Sequence, residues 1–397
     1  MNVNIFILSD NILMGKKQCP NKIETLAVKK GFFVSKKYIL PSFFPDLDTL
    51  LERDEKVVNI IVCEKQKGRV NETIAKLTHD EIVENVHLKK AVMDYYKSIN
   101  IPVEKSAFSE WEVPKNARGI INEGTLSQGY FIKGLKESYI VVSLDNYQLM
   151  LDVVLDEIEN NDYQTTTFKT FGLDSVSIKS LLGDLMRNKD GIKIGTVEDG
   201  LDVDIVLKAK SDNQKIEEYS IAILNKLSKF VYAEEDLSIF NVVFKLLSMT
   251  GQKIALAESV TGGNIASSII KHNNGASKVI EESFVTYSNA SKTNILGVNP
   301  NLIKDKGVVS SEVAYQMVQG LLNITGAQLA VATTGYASED KAGECYIGIG
   351  DREKIHVYKN IFSGTREEII ENTTKSALFY LIKKIRSNDF IFNTTNV

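Results

Sequence analysis

The chain has 397 residues, 43% hydrophobic and 25% charged. This sets a prior of two or three globular domains and excludes both a single small module and a long disordered chain. Forty-seven Lys and Arg against fifty-one Asp and Glu leave a net charge of -4, so no global field draws the protein to nucleic acid or to an anionic membrane.

Residues 3–8 form an apolar run that reads as a strand. Helical spacing follows over 21–30, a second strand over 32–40, a helix over 46–53 and a third strand over 57–62, which is the alternation of an α/β domain. The periodicity predicts a helix over 77–98 and strands over 129–132 and 139–142. The polar stretch 157–162 closes this domain, placed at 1–160. A small α+β linking domain over 161–235 has a strand from Thr165, a helix over 176–186, two strands hinged at Glu198-Asp199-Gly200, a helix over 213–227 and a last strand.

A helix over 237–250 opens the third domain, 236–397. Residues 253–257 read as a buried strand, Glu258-Ser259-Val260-Thr261-Gly262-Gly263 as a turn, and 264–271 as a helix. A strand over 283–287, a helix over 290–296, an amphipathic helix over 311–324 with Val313, Met317 and Leu321 on one face, and a strand over 329–332 follow. Strands over 346–349 and 355–362 precede a closing helix, 366–386. The expected architecture is α/β in three domains.

No apolar run approaches the roughly 20 residues that span a bilayer, and Met1-Asn2-Val3-Asn4-Ile5 carries no basic region ahead of an apolar stretch. No membrane segment and no signal peptide are expected, and a cytoplasmic location is. Cys19, Cys63 and Cys345 are far apart and odd in number, which argues for reduced thiols. His79, His87, His272 and His356 show no zinc-binding spacing, so neither a metal centre nor a cofactor is expected.

An amide hydrolase needs a nucleophile, a base and donors for the oxyanion. Ser259 sits at a strand end before Thr261-Gly262-Gly263, where backbone amides at a helix start can hold a phosphate or an oxyanion. The same residues would also serve as a plain helix cap and tight turn. Lys292, in Thr286-Tyr287-Ser288-Asn289-Ala290-Ser291-Lys292, would act as general base if buried beside a serine. It also reads as a solvated helix lysine, the commoner place for a lysine. Tyr287 is either an aid to proton transfer or a core tyrosine. Thr334, in Ala332-Thr333-Thr334-Gly335, enters the same crevice as Ser259 if the two strands are parallel, or else ends a strand.

Taken together with Gly307-Val308-Val309-Ser310, these segments resemble, in order and spacing from Ala257 to Gly335, the C-terminal domain of the CinA family (competence/damage-inducible protein A). The resemblance implies a nicotinamide-nucleotide amidase that converts nicotinamide mononucleotide to nicotinate mononucleotide and ammonia. It implies catalytic roles for Ser259, Tyr287, Lys292 and Thr334, and substrate contacts from Glu258, Thr261, Gly262, Gly263, Asn289 and Gly335. The partner it implies is a small nucleotide substrate, with a homodimer as the assembly and no direct binding of nucleic acid. Whether Ser259 attacks or positions a water stays open. Val260 stands where the family usually has Cys, and the segment from Tyr336 to Cys345, with Glu339 and Asp340, departs from the family's glycine-rich loop.

The first domain more weakly resembles the family's molybdopterin-binding-like domain, through Ser9-Asp10-Asn11-Ile12-Leu13-Met14-Gly15 and Val113-Pro114-Lys115-Asn116-Ala117. The segment Cys63 to Asn71 lacks the glycine nest and paired aspartates of that domain. Its ADP-ribose pyrophosphatase activity is therefore expected to be lost, with Glu64, Lys65, Lys67 and Arg69 in a solvated loop. The alternative to the amidase is an inactive CinA-like dimeric scaffold linked to competence and recombination.

Overall fold

The computed structural model describes residues 2–10, 19–51, 57–64, 67–134, 136–145, 147–158, 163–187, 189–338 and 341–393. The chain divides into two compact units. One comprises Met1–Thr165, Asn188–Lys193 and Val206–Ile216, the other Thr166–Arg187, Ile194–Ile205 and Glu217–Val397. Among the described residues no helix is long and apolar enough to cross a membrane.

The N-terminal elements run β1 (Asn2–Leu8), α1 (Cys19–Lys29), β2 (Phe33–Leu40), α2 (Leu47–Leu50), β3 (Val57–Cys63), α3 (Gly68–Leu77), β4 (Ile82–Glu84), α4 (Val86–Ser98), β5 (Glu112–Pro114), β6 (Arg118–Ile120), β7 (Gly129–Lys133), β8 (Ser138–Ser143) and α5 (Tyr147–Glu157). They build a six-stranded sheet of order β2-β1-β3-β8-β7-β6, parallel from β2 through β8 and antiparallel beyond. Successive side chains face opposite ways, so Ile5, Ile60 and Ile140 pack with α1 and α5, while Phe6, Ile61 and Val141 pack with α3 and α4.

The helix expected over 77–98 is interrupted. His79 takes the left-handed conformation at φ +55, β4 pairs antiparallel with β5, and α4 begins only after Asn85, whose side chain accepts the His87 and Leu88 N–H groups. Left-handed backbone and an Asn cap stop a helix that apolar spacing alone would continue. Nor is Lys67 solvated, although Arg69 is exposed. Lys67 is 2% exposed, its ammonium 2.7 Å from Glu110 and bonded to the Gln128 carbonyl, partners that make a buried cation tolerable. The Glu64 carboxylate accepts from Ser9 Oγ and the Asp10 N–H, and Arg69 lies 3.7 Å from the Phe43 ring centre. Lys65 lies outside the described residues, as do residues 11–15 of the first motif. Cys63 and Cys345 are buried free thiols, and burial pushes Cys63 up to about 12.

Next come β9 (Tyr163–Phe171), α6 (Ser175–Leu182), β10 (Lys193–Asp199), β11 (Asp202–Lys210), α7 (Lys215–Leu227) and β12 (Val231–Ala233), with a four-stranded sheet of order β10-β11-β9-β12. The division into 1–160, 161–235 and 236–397 is kept as a proposal that rests on the three main sheets being separate.

The C-terminal elements are α8 (Ile239–Thr250), β13 (Ile254–Glu258), α9 (Asn264–His272), β14 (Ile280–Val285), α10 (Asn289–Leu296), α11 (Pro300–Lys306), α12 (Ser311–Ile324), β15 (Leu329–Gly335), β16 (Glu344–Gly350), β17 (Ile355–Ile361) and α13 (Arg366–Asn393). The sheet order is β14-β13-β15-β16-β17, with β14, β13 and β15 parallel and the last two antiparallel. Every β13 residue is buried because both faces are covered. Ile254 and Leu256 pack toward α8, α9 and α13, and Ala255 and Ala257 toward α12. Val313, Met317 and Leu321 of α12 are fully buried, as their spacing predicts.

Candidate active site

Register brings the site together. Glu258 is the Cα partner of both Val285 and Thr333, so the residues just beyond, Ser259, Thr286 and Thr334, lie side by side at the carboxyl ends of three parallel strands. The Ser259 N–H donates to the Thr333 carbonyl at 3.1 Å and the Thr286 N–H to the Glu258 carbonyl at 2.8 Å. Open α/β sheets form ligand crevices at this edge.

Lys292 reaches the same edge from α10. The Ser288 side chain caps that helix by accepting the Ser291 N–H, which puts Lys292 in the first turns. Helical side chains lean toward the N-terminus, so the amine is carried back over the strand ends. Its Nζ lies 2.9 Å from Ser259 Oγ, 2.7 Å from the Thr286 carbonyl and 3.3 Å from the Tyr287 carbonyl. The side chain is 1% exposed. Burial lowers its pKa to about 8 from the ordinary 10.5. With this pKa the amine is mostly protonated at neutral pH and donates to Ser259 Oγ and to both carbonyls; once it is neutral, the two carbonyls, which can only accept, hold its two N–H bonds. The lone pair is then left facing the Ser259 hydroxyl.

Thr334 Oγ1 donates to the Val308 carbonyl at 2.9 Å. Its hydrogen is committed, so toward the cleft the oxygen presents lone pairs. The cleft encloses about 270 Å³ and is lined by Ser259, Tyr287, Asn289, Lys292, Thr334 and Gly335, together with Arg366 and Ser338. Arg366 was not singled out from the sequence. It opens α13, where Thr365 and Glu368 form a capping box, Thr365 N–H to Glu368 Oε2 at 2.7 Å and Glu368 N–H to Thr365 Oγ1 at 3.3 Å. The guanidinium donates to Ser338 Oγ at 3.4 Å. The capping pattern Thr365-Arg366-Glu367-Glu368 marks the helix start in the sequence, but nothing local ties it to Ser259. Among the described lining residues no carboxylate is present. Glu339 and Asp340 lie outside the described residues.

Four expected substrate-contact residues face elsewhere. The Glu258 carboxylate is fully buried and accepts the N–H groups of Gly263 at 3.1 Å, Ile265 at 2.9 Å and Ala266 at 2.9 Å. It fills the first turn of α9 with an internal acceptor for its free N–H groups. The Gly262 N–H donates to the Ser259 carbonyl at 3.1 Å. The expected bed of glycine amides for a phosphate or an oxyanion is therefore already occupied by the protein. Gly262 and Gly263, at φ +59 and +96, serve the turn, which needs left-handed backbone twice in succession. Thr261 Oγ1 bonds Thr333 Oγ1 at 2.8 Å. Thr261 and both glycines line a separate depression that also carries Glu367 and Glu371. Tyr287 is 65% exposed. It enters the site through its carbonyl, and among the described contacts no hydrogen bond joins its phenol to Ser259 or Lys292. Among the described residues no group of three or more His, Cys, Asp or Glu side chains is placed to hold a metal.

The C-terminal sheet is that of an α/β domain, with a buried Ser–Lys pair at the carboxyl ends of parallel strands and an arginine lining the same cleft. The family model for the CinA C-terminal domain matches residues 236–385. A CinA-like protein of Sulfurihydrogenibium sp. (strain YO3AOP1) is 33% identical over 69% of this chain and 70% of its own length. The CinA-like protein of Fusobacterium nucleatum is 27% identical over 96% of this chain and 98% of its own. The chain belongs to the CinA family of competence/damage-inducible proteins. The solved structure of the competence/damage inducible protein CihA from Agrobacterium tumefaciens is 30% identical, covering 36% of this chain and 92% of that chain, with a TM-score of 0.35.

Proposed function

We propose that the C-terminal unit is a nicotinamide-nucleotide amidase, hydrolysing the carboxamide of nicotinamide mononucleotide to nicotinate mononucleotide and ammonia. The observation that carries this reading is the 2.9 Å contact between Lys292 Nζ and Ser259 Oγ inside a cleft that also holds Arg366. Neutral Lys292 takes the hydroxyl proton as Ser259 Oγ attacks the amide carbon. The protonated amine returns the proton to the departing nitrogen and ammonia leaves. Water then cleaves the serine ester, its proton passing through Lys292 to the serine oxygen, and the carboxylate product departs. The lone pairs of Thr334 suit the N–H groups of a carboxamide, which are donors. Arg366 suits a phosphate monoester at the mouth. Tyr287 offers an aromatic wall for a planar pyridine ring.

The proposal carries with it a homodimer, drawn from the family resemblance, and a cytoplasmic setting, drawn from the sequence expectation of neither a signal peptide nor a membrane segment. It also carries the loss of ADP-ribose hydrolysis by the N-terminal unit, where Lys67 and Arg69 supply cations and a divalent metal would need carboxylates. The test is ammonia release from nicotinamide mononucleotide by the purified chain beside Ser259→Ala. Release that the variant abolishes supports the amidase. Equal background from both proteins rejects it and leaves the inactive scaffold.

A further inference from the structure

A second cationic depression, which shares no residue with the cleft at Ser259, lies in the first compact unit. It encloses about 440 Å³, within the size range of metabolite sites. Phe33, Tyr163 and three lysines, Lys193, Lys208 and Lys210, line it, with Asp212 as the single acidic residue among the described lining residues.

Lys208 is the telling member. It is 5% exposed, and among the described residues its ammonium has no hydrogen-bond partner. Nζ lies 4.0 Å from the Phe33 ring centre and 4.5 Å from that of Tyr163, and Lys193 Nζ lies 4.4 Å from the Phe33 centre. Ring faces attract a cation, yet they return only part of the hydration a buried ammonium gives up. Burial, with the like charge of Lys193, lowers the Lys208 pKa to about 8, which leaves it mostly charged at neutral pH. An apolar side chain of the same length would fill this place at less cost. Asn213, also on the wall, is committed elsewhere, with Nδ2 donating to the Asp190 carbonyl at 2.7 Å and Oδ1 accepting the Lys215 N–H at 3.0 Å. Among the described residues the depression is thus a pocket with a net positive lining and an unpaired buried donor at its wall.

We infer that it binds a phosphorylated small molecule, with the phosphoryl group held by Lys208 together with Lys193 and Lys210. A phosphoryl group brings close to two negative charges and three acceptor oxygens, which matches three ammonium groups better than the single charge of a carboxylate. The remaining volume, walled by Phe33 and Tyr163, takes the organic part of the ligand.

The probe is inorganic pyrophosphate, titrated calorimetrically into the full chain, with lysine acylation rates read peptide by peptide in its presence and absence. Binding should slow acylation of Lys208 severalfold. Lys208→Met should weaken that binding at least tenfold, and Lys193→Gln by a smaller factor. Arg366→Gln, which alters the other cleft, should leave protection of Lys208 intact. An acylation rate at Lys208 that saturating pyrophosphate does not change overturns the inference. So does a Lys208→Met protein that circular dichroism shows to be folded and that binds as tightly as its parent. Lys193 is exposed, so Lys193→Gln keeps the test available should the first variant fail to fold.

Discussion

Lys292 and Ser259, thirty-three positions apart in the chain, are joined by a 2.9 Å hydrogen bond at a sheet edge where the lysine is almost fully buried. If the amine is the base, Lys292→Met should lower kcat for nicotinamide mononucleotide by about 10²–10⁴-fold while the protein stays folded. Ser259→Ala should cost at least as much. Steady-state ammonia assays on both variants check this, and a Lys292→Met enzyme within threefold of the parent would remove the lysine from the mechanism.

A base with a pKa of about 8 works in its neutral form. The kcat/KM profile of the free enzyme should therefore rise with pH and level off above about 8, with the inflection missing in Lys292→Met. A profile flat from pH 6 to 9 would contradict this.

The same shift makes a statement about stability. Between about 8 and 10.5 the unfolded chain holds a proton on this lysine that the folded chain lacks, so stability gains with pH across that window. Below about 8 the full cost of burying the charge is present, on the order of 3 kcal/mol. The parent should therefore lag Lys292→Met in melting temperature at pH 7, and the gap should narrow toward pH 10. Paired thermal melts at the two pH values measure it.

Glu258 supports the turn that carries Ser259. Glu258→Ala would strand three N–H groups of α9 in a buried place, each costing about 1–3 kcal/mol. A loss of roughly 3 kcal/mol or more in urea denaturation is expected, with Glu258→Gln falling between. A loss below 1 kcal/mol would show that the first turn finds other acceptors.

Gly320 sets how closely α12 approaches α10. A methyl group there would lie 2.0 Å from the Leu296 carbonyl oxygen, so Gly320→Ala must push apart the helix that holds Lys292. We expect a stability loss of about 1–3 kcal/mol from overpacking, and kcat to fall by as much as about 10²-fold for each ångström the amine moves. Parent-like kcat in a folded variant would separate that helix from the chemistry.

Much of this was legible before any coordinates. The run from Ile254 through α9, and the amphipathic α12, follow from apolar spacing and glycine placement, because those signals are local. Long-range partners were not legible. Lys67 reads as a surface lysine until Glu110, forty-three positions away, is seen beside it. Glu258 reads as a ligand-facing carboxylate until the amides of α9 are seen to fold back onto it. Arg366 joins the cleft only through the packing of α13 on the sheet.

Because the amides at the start of α9 already have their own acceptor in Glu258, the proposed amidase would hold a charged substrate through Arg366, which sits exposed at the surface. Dissolved ions reach such a group freely and screen it over about 8 Å at physiological ionic strength. Grip on the nucleotide should then loosen as salt is added, with KM climbing and turnover at saturation holding, whereas an anion seated on inward-facing amides would scarcely notice the brine.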